Sequence, residues 1–196
     1  MTPRDVLRLL DAAGEKPAGL RLAALVATLY SGCPRLGVAL AMGTGDVNLP
    51  AARMTLRGRR AREVDLDVVT LARISRWLAC RADLGLEAGF LFCTFEGAPL
   101  DASYVRRALP ALGREAGLDA PVSAEALRSA GAARLIAAGV GDDELQRHLD
   151  HGRAAVTARY RRRLDAGASR AAALHPDGAY RIDAVALATL FPELST

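Results

Sequence analysis

Met54-Thr-Leu-Arg-Gly-Arg-Arg-Ala-Arg-Glu-Val-Asp-Leu66 is where the chain changes its period. Apolar and polar residues alternate on both sides of Gly58-Arg59-Arg60-Ala61, the pattern of a β-hairpin whose one face is buried. Arginines 57, 59, 60 and 62 crowd the tip of that hairpin. Everything before it follows the helical period. Residues 3–13 form an amphipathic segment with Thr2 as N-cap and Pro3 in the first turn, and residues 18–31 form a second, largely apolar one. A third starts near Arg35 and runs to Met42, where Gly43 and Gly45 stop it.

Beyond the hairpin, a helix is expected at 67–82 with Trp77 in the core. Phe90-Leu-Phe-Cys-Thr-Phe95 is a short apolar run ahead of Glu96-Gly-Ala-Pro and reads as a third strand. Helices follow at 101–116, 123–138, 142–150 and 153–165, divided by glycines 117, 139, 141 and 152, with Asp101, Ser123 and Asp142 as N-caps. A last amphipathic segment spans Tyr180–Phe191. The fold class is therefore mainly α with a small β-hairpin or three-stranded sheet.

Composition narrows the function. With 196 residues, one packed domain and an appendage are the expectation. No stretch approaches the ~20 uninterrupted apolar residues of a membrane helix. The opening Met-Thr-Pro-Arg-Asp enters a polar helix directly, so no secretory signal is visible. Cys33, Cys80 and Cys93 are too scattered for a disulfide framework or a CxxC zinc pattern. A soluble cytoplasmic domain is the expectation. The 26 basic residues are 25 arginines and one lysine, Lys16, against 22 acidic side chains. High-GC codon usage explains most of that count, and a net charge of +4 argues only weakly for nucleic acid.

Three stretches in order carry more. The first is Leu29-Tyr-Ser-Gly-Cys-Pro-Arg35-Leu-Gly37, followed by Asp46-Val-Asn-Leu49. The second is Val122-Ser-Ala-Glu125-Ala-Leu-Arg128, whose helix runs to Ala138-Gly-Val140. The third is Leu145-Gln-Arg-His-Leu-Asp-His151, with Tyr160 nine residues on. Over roughly residues 2–165 this ordered set resembles the catalytic domain of tyrosine recombinases, the phage integrase family. The boxes are similar to that family's first-arginine box, its His-x-x-Arg box and its Leu-Gly-His segment with the nucleophilic tyrosine. The hairpin stands where the family keeps its catalytic lysine.

The resemblance implies a DNA transesterification in which Tyr160 attacks the scissile phosphate, leaving a 3′-phosphotyrosine and a free 5′-hydroxyl, without metal or nucleotide cofactor. It makes Arg35 and Arg128 the phosphate clamps and His151 a hydrogen-bond donor to the same phosphate, since planar guanidinium forks suit the developing charge. It also implies DNA contacts from Arg57, Arg59, Arg60 and Arg62, and a tail helix within 178–191 that docks on a second copy on DNA. Taken singly, the same residues have plainer readings: a surface ion pair, a core histidine, an amphipathic tyrosine.

Three positions depart from the family pattern. Arg59 follows Gly58 where the general-acid lysine belongs, and a guanidinium gives up its proton poorly. Glu125 replaces a histidine, its charge repelling a phosphodiester unless Arg128 neutralises it, and Val38 replaces an acidic residue. The expected layout is a catalytic-like domain over 1–165 and an appendage over 166–196, with no preceding DNA-clamping domain. Two other classes stay open: a recombinase fold kept as a DNA- or protein-binding module, and a metal site on His148 and His151 with Asp150 nearby.

Overall fold

The computed structural model describes residues 1–86 and 89–174. Its helices are α1 (Pro3–Ala12), α2 (Pro17–Ser31), α3 (Leu36–Leu40), α4 (Val68–Asp83), α5 (Ala102–Glu115), α6 (Ala124–Ala137), α7 (Asp142–His148) and α8 (Ala154–Leu174). Between α3 and α4 lies an antiparallel sheet of three strands, β1 (Val47–Asn48), β2 (Arg53–Arg57) and β3 (Ala61–Asp65), in that order.

Local chemistry sets most boundaries. Thr2 and Asp5 form a reciprocal capping box ahead of Pro3. Asp67, Asp101 and Ser123 each accept a backbone N–H in the first turn of α4, α5 and α6. Asp142 departs from expectation. Gly141 is the cap of α7, and Asp142, inside the first turn, accepts from Arg161 Nε at 2.5 Å. The third helix is also shorter than expected, because its chain turns at Ala41. Helix α8 runs past the expected end at 165 to Leu174. The expected helix at 180–191 lies outside the described residues.

Met54 faces Val64 and Leu56 faces Arg62 across the hairpin, and Met54, Leu56 and Val64 turn to the core. The expected third strand at 90–95 is not one. Those residues make only isolated bridges, Gly43 to Phe90 and Cys93 to Pro99, and the sheet's third strand is Val47–Asn48. The reason lies in the carbonyls. Arg81 Nη1 donates to Phe90 O at 2.6 Å, Trp77 Nε1 to Leu91 O at 2.8 Å, and Arg21 Nη1 to Cys93 O at 2.6 Å. Helical side chains satisfy the acceptors that a neighbouring strand would have used.

Two apolar clusters result. The larger joins α1–α6 and the sheet around Leu9, Leu25, Leu29, Ile74, Trp77 and Phe92, each fully buried aliphatic side chain contributing about 1.5–3 kcal/mol. A smaller one, Cys33, Ala132, Leu145 and Leu149 with Tyr160 and Leu164 at its edge, seats α7 and α8 against α6. The site lies along the seam between them.

Candidate active site

Arg35 owes its place to a sharp turn. Cys33 is fully buried with φ +49°, Pro34 follows, and Arg35 emerges exposed as the N-cap of α3. Helix α6 comes hard against this turn at Gly131, where a Cβ would lie 2.0 Å from Tyr30 O and 2.6 Å from Cys33 Sγ. Arg128, one turn earlier on α6, is thereby carried to the seam. It is 4% exposed and donates Nη2 to Leu149 O at 2.7 Å, tying α6 to the turn between α7 and α8. Burial pushes the Cys33 thiol up to about 12, so this cysteine is an inert packing residue.

That turn presents His151. Asp150 has φ +52°, and His151 closes back onto α7 through its N–H to Gln146 O and its carbonyl to Gln146 Nε2. The imidazole lies between Thr157 Oγ1, 3.1 Å from Nδ1, and Arg128 Nη2, 3.5 Å from Nε2. A guanidinium can only donate, which places the imidazole proton on Nδ1. Burial lowers the pKa of His151, and the charges of Arg128 and Arg35 lower it further, against smaller opposing effects of Glu125 and Asp150.

Tyr160 meets His151 edge to face, with ring centroids 5.4 Å apart at 73°. Its hydroxyl pairs with Ser129 Oγ at 2.9 Å, and the Arg163 guanidinium lies 4.7 Å from its ring centroid. Burial raises the phenol's pKa; the Ser129 hydrogen bond, Arg128 and Arg163 pull it down and Glu125 adds to the rise. Glu125 is exposed and pairs with Arg163 at 3.6 Å. Its ion-pair partner is therefore Arg163. Val38 is half-buried against the larger core.

The hairpin arginines divide. Arg59 and Arg60 stand exposed at the tip, where their backbone N–H groups donate to Asp150. Arg57 is committed at 2.7 Å to Asp46. Arg62 turns inward toward Gly32 O, and burial lowers its pKa, Asp150 opposing and Arg128 and Arg35 adding to the fall. Three of the four arginines, Arg57, Arg59 and Arg60, thus stay exposed, and Arg62 alone turns inward.

Arg35, Arg59, His151, Gly152, Arg153 and Val156 line one cleft of about 410 Å³. An adjoining cleft of similar volume shares Arg59, His151 and Gly152 and adds Arg60, Arg62, Arg147 and Asp150. Arg128 reaches this space through His151. Tyr160 lines neither cleft. Arg35, Arg59, Arg128, His151 and Tyr160 are therefore one neighbourhood, with Glu125 and its partner Arg163 at its edge beside Tyr160. The sequence offers Asp150 only as a neighbour of the His148–His151 pair, and nothing in it singles out Ser129 or Thr157.

His148 faces Ser31 O and His151 faces Thr157, so the two do not share a ligand position. Among the described residues no three His, Cys, Asp or Glu side chains gather in a metal-ligating group, and no helix is long and apolar enough to cross a membrane.

The fold is that of the tyrosine recombinases. A solved XerA recombinase superposes with a TM-score of 0.73 at 21% identity, covering 100% of this chain and 63% of that one. A solved XerH recombinase bound to its difH substrate gives 0.69 at 21% identity, over 86% and 51%. By sequence, the chain is 26% identical over 155 residues to tyrosine recombinase XerC of Haemophilus ducreyi, covering 78% of this chain and 51% of that protein. It is 28% identical over 156 residues to XerC of Pelotomaculum thermopropionicum, covering 74% and 51%. The chain belongs to the phage integrase family, whose model matches residues 1–166. It spans about half the length of these curated relatives.

Proposed function

We propose that this chain is the strand-cleaving domain of a site-specific DNA recombinase. The observation that carries the reading is the meeting of Arg35, Arg59 and His151 in one cleft, with Arg128 and Tyr160 both against His151, in a chain of this family. A bridging phosphate in that cleft takes hydrogen bonds from the Arg35 guanidinium, and from Arg128 once its Nη2 contact with His151 is given up to the ligand. Its negative charge favours the imidazolium form of His151, which frees Nε2 to donate as well. Tyr160 Oη forms the new P–O bond as its phenolic proton passes to solvent, and the bond to the 5′ oxygen breaks as that oxygen takes a proton from solvent to become the 5′-hydroxyl. The phosphotyrosine conserves the ester bond, so the reverse attack by a 5′-hydroxyl rejoins the strands. Negative charge that builds on the non-bridging oxygens of the pentacoordinate phosphorus is what the two arginines stabilise.

Arg59 holds the leaving-group side without protonating it, because its guanidinium does not release a proton at neutral pH. That residue favours a second reading, a recombinase fold that binds DNA and does not cleave it. A pool of nicked duplexes, randomised around the nick so that the cleaved fragment diffuses away, separates the two. A denaturant-resistant protein–DNA adduct that vanishes in Tyr160→Phe supports cleavage. Binding without adduct supports the second reading, and absence of both refutes DNA as the ligand.

A further inference from the structure

The turn between α7 and α8 and the hairpin tip are clasped together from both sides. Asp150 Oδ2 accepts the N–H of Arg59 at 2.6 Å and Oδ1 that of Arg60 at 3.3 Å. Two successive backbone N–H groups at a turn form an anion-binding nest, and here a carboxylate from 90 residues away fills it. The fit depends on two glycines. A Cβ on Gly58 would lie 2.3 Å from Asp150 Oδ2, and a Cβ on Gly152 would lie 2.4 Å from Arg59 Nη1. The Asp150 carboxylate rests on Gly58 while the Arg59 guanidinium rests on Gly152. Each half of the clasp sets the other.

Asp150 holds an unfavourable backbone to do this. Its φ of +52° lies in the left-handed region, which disfavours non-glycine residues, though Asp and Asn tolerate it best. A residue in that conformation, spending its charge on the hairpin, has to be explained by what the hairpin presents. The tip presents Arg59, whose long side chain would otherwise sample many rotamers in water.

We infer that Asp150 is a positioning residue that latches the hairpin tip to the His151 turn and so holds the Arg59 guanidinium in the cleft. The latch orders Arg59 before a phosphate arrives. It also occupies the two tip amides, leaving the guanidinium groups of Arg59 and Arg60 as the tip's donors to the ligand. The inference rests on the phosphate-binding reading above only for what Arg59 is held against.

Electrostatics and positioning make opposite predictions. Removing a carboxylate from a basic site should, by charge alone, tighten DNA binding. If Asp150 positions Arg59, Asp150→Gly weakens binding severalfold in spite of the lost negative charge. Glycine adopts φ +52° freely, which offsets the two hydrogen bonds lost, so Asp150→Gly stays folded at the temperature of the binding titration. The full chain is compared with Asp150→Gly and Asp150→Asn by amide hydrogen exchange at Arg59 and Arg60, thermal melting, and titration with a random-sequence duplex at fixed salt. The expected result is exchange of both amides at least tenfold faster in Asp150→Gly, with weaker duplex binding, and partial recovery of both in Asp150→Asn, whose amide oxygen still accepts. Unchanged exchange in Asp150→Gly overturns the latch, and faster exchange with tighter binding overturns its positioning role. If the unaltered protein binds no duplex, the recombinase reading fails while the exchange rates still decide the latch.

Discussion

Arg35 and Arg128 are paired as phosphate clamps, yet the structure gives them different second duties, and substitution should separate them. Arg128 is 4% exposed and its Nη2 bonds Leu149 O at 2.7 Å, whereas Arg35 stands exposed at the start of α3. Arg128→Ala removes a charge-assisted hydrogen bond worth about 1.5–3 kcal/mol and leaves the Leu149 carbonyl unpaired. With the buried stem also lost, roughly 3 kcal/mol is expected, and for a chain of this size that lowers the melting midpoint by about 6–12 °C. Arg35→Ala falls among surface substitutions, within ~0.5 kcal/mol, and should move the midpoint by less than about 2 °C. For duplex affinity measured well below both midpoints the two converge. Each loses one charge-assisted phosphate contact of about 1.5–3 kcal/mol, roughly tenfold to 150-fold in Kd. Thermal melting and fluorescence anisotropy on the same preparations check both halves. An Arg128→Ala protein that melts with the unaltered one refutes the internal hydrogen bond, and an Arg35→Ala protein with undiminished affinity removes Arg35 from the phosphate.

Three further outcomes follow from the same geometry. Arg59→Lys supplies a side chain able to protonate the 5′ oxygen, so it should accelerate cleavage of an ordinary strand but not of one carrying a bridging 5′ sulfur, which leaves without a proton; equal acceleration of both contradicts the acid argument. Burial lowers the pKa of both His148 and His151, so the unfolded chain binds their protons more readily. Their contribution to stability is then complete above the ordinary value of 6.5 and lost as pH falls toward the depressed folded values, and urea midpoints of a His148→Gln, His151→Gln protein should fall less over that window than those of the unaltered chain. Ser129→Ala removes a bond that lowers the Tyr160 pKa, so the phenol should titrate higher by ultraviolet absorbance, with Tyr160→Phe identifying the transition.

Much of this molecule was legible because period and caps agree with packing. The alternation around Gly58 placed both long strands, and their buried residues Met54, Leu56 and Val64 are the apolar members of that pattern. β1 has two residues and offers no pattern to read. The apolar run at Phe90–Phe95 has the composition of a strand, but its partners are side chains, and nothing local announces that Arg21, Trp77 and Arg81 will reach its carbonyls. The same limit touches the arginine count. Arg21, Arg73, Arg81 and Arg128 are buried, so part of the surplus works inside the fold. At the site, ordered motifs pointed to Arg35, Arg128, His151 and Tyr160, because spacing survives in a linear chain. The division of the hairpin arginines did not show, since Arg57 and Arg62 find Asp46 and Gly32 only once the sheet closes on α2. Nor did the pairing of Glu125 with Arg163, which needs α6 and α8 side by side.

The account stands most directly on which atom takes the DNA. The adduct formed with the randomised nicked pool can be trimmed by nuclease and protease and sequenced by tandem mass spectrometry. The account predicts a single nucleotide esterified through its 3′-phosphate to the Tyr160 oxygen. A nucleotide on any other side chain, or one attached through its 5′-phosphate, contradicts it.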